Sequence, residues 1–214
     1  MSTRIGKGEF DAMMAGAIER VRSGSAFLSE LDSACGDGDH GTTMRRAMGL
    51  LEKALAEKEE ESLRALIDRL AWTLLGVDGG ATGPLLGSFF MGMAEAAGGQ
   101  SELDCAALAS VLEAGLASVQ RQTKAQVGDK TMIDALVPAV KALRAGADAG
   151  KTLANSLRDA AEAARNGAAS TKNMIAKFGK ARFSGERTLG HQDAGATSVA
   201  MIFEGFCEGI IRTT

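Results

Sequence analysis

The sequence predicts an all-α fold, a single-domain bundle of about eight antiparallel helices over residues 1–214. Three observations carry this. The composition is rich in Ala, Leu, Met and Glu and poor in strand formers, with no Tyr, one Trp and 4% aromatic residues, a balance that favours helix. Apolar residues recur at intervals of three and four along most of the chain, the period of a one-sided helix. The connections between these stretches are mostly short, so successive helices pack as antiparallel neighbours.

Taken in order, Phe10, Met13, Met14, Ile18, Val21, Phe27, Leu28 and Leu31 predict a first helix over 7–33. A Gly-rich acidic loop, 35–41, interrupts the pattern. Met44, Met48, Leu51 and Leu55 then mark a second helix to about Glu57, and Leu63 to Leu75 a third that stops at Gly79 and Gly80. From Pro84, well placed in a first turn, to Ala97 the chain is apolar nearly all round, which predicts a helix buried on most sides. Leu103 to Val119 form the stripe of a fifth helix, 102–122, and Met132 to Leu143 that of a sixth. An Ala-rich seventh runs over 152–177. Residues 178–193 have no period and are long, polar and glycine-bearing, the marks of a functional loop. The last helix, 195–212, carries Val199, Ile202, Phe203, Phe206 and Ile210. No repeat or low-complexity linker divides the chain.

In such a bundle alternate loops emerge at one end. The loops after the first, third, fifth and seventh helices, at 35–41, 77–83, 123–130 and 178–193, hold the unusual residues, so a site is expected where they converge. The others, 58–61 (K-E-E-E) and 147–151, read as solvated turns. The first of the four, with Asp32 just before it, places Asp32, Asp37 and Asp39 within eight residues. One Asp would serve as a cap or turn residue, but three so close repel one another without a counterion. Oxygen-only ligands suit Mg²⁺, which is commonly shared with substrate phosphates. Gly79 to Gly83 precede a helix start whose N–H groups and dipole can hold phosphate oxygens. Asp193 is an N-cap for the last helix. His40 and His191, the only histidines, lie in these loops, with too few partners for a zinc site or a Ser-His-Asp triad. Lys180, Arg182 and Arg187 can balance phosphate charge. The G-x-G-x-x-G at 36–41 and the A-x-x-x-x-G-K-T at 145–152 lack the preceding strand that a dinucleotide or Walker loop needs.

A net charge of −3 gives no reason to expect nucleic acid or an anionic membrane as partner. The three cysteines are odd in number and widely spaced, which fits a reducing cytoplasm rather than a disulfide framework. The stretch M-S-T-R-I-G-K-G-E-F lacks the apolar core of a signal peptide, and no stretch is read as a membrane span. The expectation is a soluble, cytoplasmic protein.

Four segments in order, G-D-G-D-H-G, G-G-A-T-G-P-L-L-G, G-D-K-T-M-I-D-A-L and G-E-R-T-L-G-H-Q-D-A-G-A-T-S, resemble the nucleotide-binding L subunits of bacterial dihydroxyacetone kinases. The resemblance implies an eight-helix barrel that holds ADP or ATP at one end through two Mg²⁺ ions. It implies that Asp32, Asp37 and Asp39 ligate the magnesium. His40, Gly41, Thr42, Thr43, Ala81, Thr82, Thr123, Met132, Lys180, Asp193, Ala194 and Gly195 would then contact the nucleotide. It further implies phosphoryl transfer to a short ketose held on a separate sugar-binding subunit, and possible recharging by a phosphotransferase-system protein. Three positions depart from the family: Ala194 stands for a usual Pro, Lys180 for a frequent Arg and Thr123 for a frequent Gly. Two other functions would keep the same pocket, a nucleotide-sensing module acting on a transcription regulator and the nucleotide domain of a fatty-acid-kinase-like system.

Overall fold

A computed structural model describes residues 4–57 and 62–213, and among them nine α-helices. They are α1 (Lys7–Ser23), α2 (Ser25–Cys35), α3 (His40–Ala56), α4 (Leu63–Leu75), α5 (Thr82–Ala97), α6 (Cys105–Gln122), α7 (Ile133–Asp148), α8 (Leu153–Ser170) and α9 (Ala194–Arg212). The only extended pairing among the described residues is an isolated antiparallel bridge between Ile5 and Leu103. The K-E-E-E loop expected at 58–61 lies outside the described residues.

Eight helices close into a ring in which α1, α3, α4, α5, α6, α7, α8 and α9 each pack on the next, and α9 packs back on α1. This is the expected antiparallel barrel. Its interior is one continuous apolar core built from the stripes of all eight helices. The α1–α9 seam is close-packed: a Cβ on Gly205 would lie 2.4 Å from the Ala17 backbone. α5 is buried over most of its circumference, with Phe89 and Phe90 edge to face at 5.9 Å.

Two helix boundaries differ from the sequence reading. The first helix breaks at Gly24, whose N–H bonds Arg20 and Arg22 carbonyls and whose Cα faces Met201 so closely that a Cβ would stand 2.5 Å from its methyl carbon. α2 beyond the break buries only Leu28 and packs on α3, α9 and the 3₁₀ segment 180–188. The seventh helix ends at Ser170 rather than 177, because the buried Thr171 turns its hydroxyl back to the Ala168 carbonyl and a 3₁₀ turn follows. α9 is long and apolar enough to cross a membrane by length and composition alone, but most of it is buried in the barrel, where it serves as a core helix. It is the core staple of the ring.

Candidate functional site

The ends of α2, α4, α6 and α8 and the starts of α3, α5, α7 and α9 meet around an open cavity of about 580 Å³. Its mouth carries Asp32, Asp37, Asp39 and Lys180, and its floor includes Met44, Leu86, Ile133 and Val199. α2 brings Asp32, half-buried at its last turn, beside the acidic loop. Gly38, at φ +79, folds that loop back so that Asp39 can precede α3. One carboxylate oxygen from each of Asp32, Asp37 and Asp39 lies within 4.8 Å of the others. The Asp32 carboxylate also accepts the first amide of α3, from His40, at 3.2 Å.

Two of the three face a lysine. Lys180 places its ammonium on Asp37, with Asp39 at 3.5 Å, and this hydrogen bond holds the Asp37 carboxyl below its usual range. A positive charge already sits beside two of the three carboxylates, and hard oxygen donors in that arrangement fit Mg²⁺.

Facing the trio, Gly79 and Gly80 take left-handed conformations at φ +121 and +57. The turn they make delivers α5 with Ala81 at its N-cap, a residue with no side chain to cap the first-turn amides. An uncapped helix start is a ready anion site. Across the cavity Asp193 caps α9 by accepting the Ala196 amide at 2.7 Å. Burial pushes its carboxyl up to about 6, although part of the residue faces the cavity. His40 is held toward its neutral form by burial. The single Ser198 hydroxyl hydrogen goes to the Gly195 carbonyl at 2.9 Å. His40 Nε2 lies 3.2 Å from that oxygen.

Of the residues implied to touch nucleotide, His40, Ala81, Thr82, Thr123, Met132, Lys180, Asp193, Ala194 and Gly195 line the cavity. Gly41, Thr42 and Thr43 stand behind it. Gly41 is a packing residue, since a Cβ there would lie 1.9 Å from the Ser25 carbonyl of α2, and Thr43 is buried under Gly79. Thr42 is exposed. His191 and Arg187 are exposed, and His191 contributes its carbonyl rather than its ring.

Sequence reasoning assigned no role to Lys130, Asp134 or the aromatic rim. Lys130, buried and left-handed at φ +60, donates to backbone carbonyls of the 171–193 segment. Asp134 accepts the Gly128 and Thr131 amides and fixes the turn before α7. Phe183, largely exposed at the rim, carries the Arg182 guanidinium 4.6 Å above its ring. The G-D-K-T-M-I-D string held the only signal for the first two.

The DAK2 domain model matches residues 34–208. The chain belongs to the DAK2 domain family. Its relatives include the ADP-binding subunit DhaL of PEP-dependent dihydroxyacetone kinase 1 from Listeria innocua, 38% identical over 185 residues and matched over 86% of this chain and 87% of that one. They also include the DhaL subunit of the Escherichia coli PEP-dependent enzyme, 36% identical over 84% of this chain and 86% of that one. Among solved structures, the dihydroxyacetone kinase of C. freundii in complex with AMP-PNP and Mg²⁺ superposes with a TM-score of 0.72 and 28% identity. The match covers 92% of this chain and 33% of that one, so this DAK2 chain spans about a third of that kinase.

Proposed function

We propose that this chain is the ADP/ATP-binding subunit of a kinase for dihydroxyacetone or a related short-chain ketose, active with a separate sugar-binding subunit. One observation supports this above the rest: three carboxylates converge at the mouth of a cavity whose opposite wall is an uncapped helix start. In this reading residues 1–214 form a single nucleotide-binding domain. It works in the cytoplasm, in keeping with the free thiols of Cys35, Cys105 and Cys207.

Asp32, Asp37 and Asp39 hold two Mg²⁺ ions. Bound magnesium neutralises charge on the transferring phosphoryl group and orients it. The chain's own residues do the positioning. The first-turn amides of α5 receive phosphate oxygens, Lys180 swings from Asp37 to the phosphates, and the apolar floor takes the base. His40, neutral and tied to Ser198, fixes the start of α3 without adding charge. Little covalent work is left to the protein in such a transfer, so placement and electrostatics carry it. The names of the relatives support a phosphotransferase-system protein as the source that recharges bound ADP.

Asp37→Ala tests the assignment. Calorimetry with ADP and MgCl₂ is expected to show loss of magnesium-dependent binding, and normal binding by the variant rules the metal role out. Mixing the chain with a ketose-binding subunit and a phosphoryl donor should yield sugar phosphate. Native mass spectrometry that finds tightly retained ADP with two magnesium ions supports recharging over free exchange.

A further inference from the structure

The segment 171–193 forms a strap. Its neck is closed by the Gly190 amide on the Lys172 carbonyl and by the Asp193 amide on the Thr171 hydroxyl, each at 2.8 Å. Its tip reaches α2, where the Ser184 hydroxyl donates to the Cys35 carbonyl at 3.0 Å and Lys180 meets Asp37. Between the two sides of the neck stands Lys130, 2% exposed. Its ammonium donates to the Thr171 carbonyl at 2.6 Å and also to the His191 carbonyl. One cation therefore grips both ends of the strap and ties them to the loop between α6 and α7.

Burying an ammonium is costly unless its donors are satisfied, and a left-handed backbone adds strain for a side-chain-bearing residue. A lysine that only filled space here would be poorly suited. Lys130 instead uses two of three donors on the strap and lines the nucleotide cavity. Its charge also opposes the upward push of burial on the Asp193 carboxyl at the start of α9.

We propose that Lys130 is a positioning residue of the phosphoryl-transfer site, pinning the neck of the 171–193 strap so that Lys180 is held at the cavity mouth beside Asp37 and Asp39, within reach of the phosphates. The inference rests on the nucleotide reading given above. Its test uses the full chain with Lys130→Asn, Lys130→Met and Lys130→Arg. Asn tolerates the left-handed conformation, which separates loss of the ammonium from backbone strain, and it decides the matter if the Met variant does not fold. Hydrogen exchange without ligand is expected to accelerate about tenfold or more in peptides covering 174–190 while α5 and α6 keep wild-type protection. The Kd for Mg-ADP is expected to weaken by at least about tenfold in the Asn variant and to recover in part with Arg. Unchanged strap exchange, acceleration spread evenly over the barrel, or a faster strap with unaltered Mg-ADP affinity would each overturn the proposal. Failure of the wild-type chain to bind Mg-ADP would instead overturn the nucleotide reading, and the exchange measurement would still decide whether Lys130 pins the strap.

Discussion

Gly41→Ala tests the link between packing and site. Gly41 is the second residue of α3, and its Cα lies against α2, where a Cβ would stand 1.9 Å from the Ser25 carbonyl and 2.7 Å from the Ser29 amide nitrogen. Ordinary contact begins near 3.4 Å, so α2 and α3 must part by roughly 1.5 Å at this point. The Ser29 hydroxyl, at 2.6 Å, can turn aside, but the two backbone atoms cannot. Overpacking of this kind costs about 1–3 kcal/mol, offset by up to about 1 kcal/mol of helix propensity gained over Gly. A net loss of about 1–2 kcal/mol lowers Tm by roughly 2–8 °C in a chain of this size. The effect on the site is larger than the effect on stability. Asp32 rides on α2 and Asp39 immediately precedes α3, so the displacement separates two of the three carboxylates. Mg²⁺ demands oxygen ligands at about 2.0–2.1 Å in near-octahedral order. A 1 Å error at a reacting centre can cost about 100-fold in rate. Differential scanning calorimetry paired with titration of ADP in MgCl₂ should show a modest fall in Tm and a loss of affinity of about 10- to 100-fold. A variant that melts within a degree of wild type and binds Mg-ADP normally would refute the claim that the α2–α3 approach sets the carboxylate geometry.

Two further outcomes follow from the same coordinates. Asp193 has its carboxyl raised from 3.8 to about 6 by burial, so the folded protein holds this proton more tightly than the unfolded chain. The contribution to stability is fully present below about pH 4 and is lost as pH rises through 6, amounting to roughly 3 kcal/mol. Asp193→Asn keeps the cap on α9, and urea melts at pH 4 and pH 7.5 should show the wild type losing stability relative to the variant; parallel profiles would show that the buried carboxyl is not the source. Gly205→Ala, which places a methyl 2.4 Å from the Ala17 backbone in the α1–α9 seam, is expected to destabilise by about 2 kcal/mol or more, and an unchanged denaturation midpoint would contradict that spacing.

The helices were legible because burial repeats along them at a period the sequence displays. In α7, Ile133, Leu136, Val140 and Leu143 are all buried, as their spacing requires. The break at Gly24 was not legible by that route. Val21 and Leu28 stay in phase across it, both fully buried, and Gly24 lies against Met201, 177 residues later in the chain. The end of α8 escaped for a similar reason, since Thr171 gives its carbonyl to Lys130 and its hydroxyl oxygen to the Asp193 amide, partners 41 and 22 residues away. The acidic trio could be read directly, because mutual repulsion among three nearby carboxylates is a local fact. The grip of Lys130 could not, because a lysine in a polar loop looks solvated until its carbonyl partners, 41 and 61 residues away, are placed. The convergence of loops survived the extra helix for a definite reason. Had Gly24 reversed the chain, the acidic loop would have emerged beside the Ile5–Leu103 bridge at the far end. It emerges instead beside Gly79, Lys130 and Lys180, so the break bends the chain without changing which end of the barrel the next loop reaches. Which end a loop reaches depends on chain reversals and not on the number of helices, so the four loops converge although the first expected helix is two.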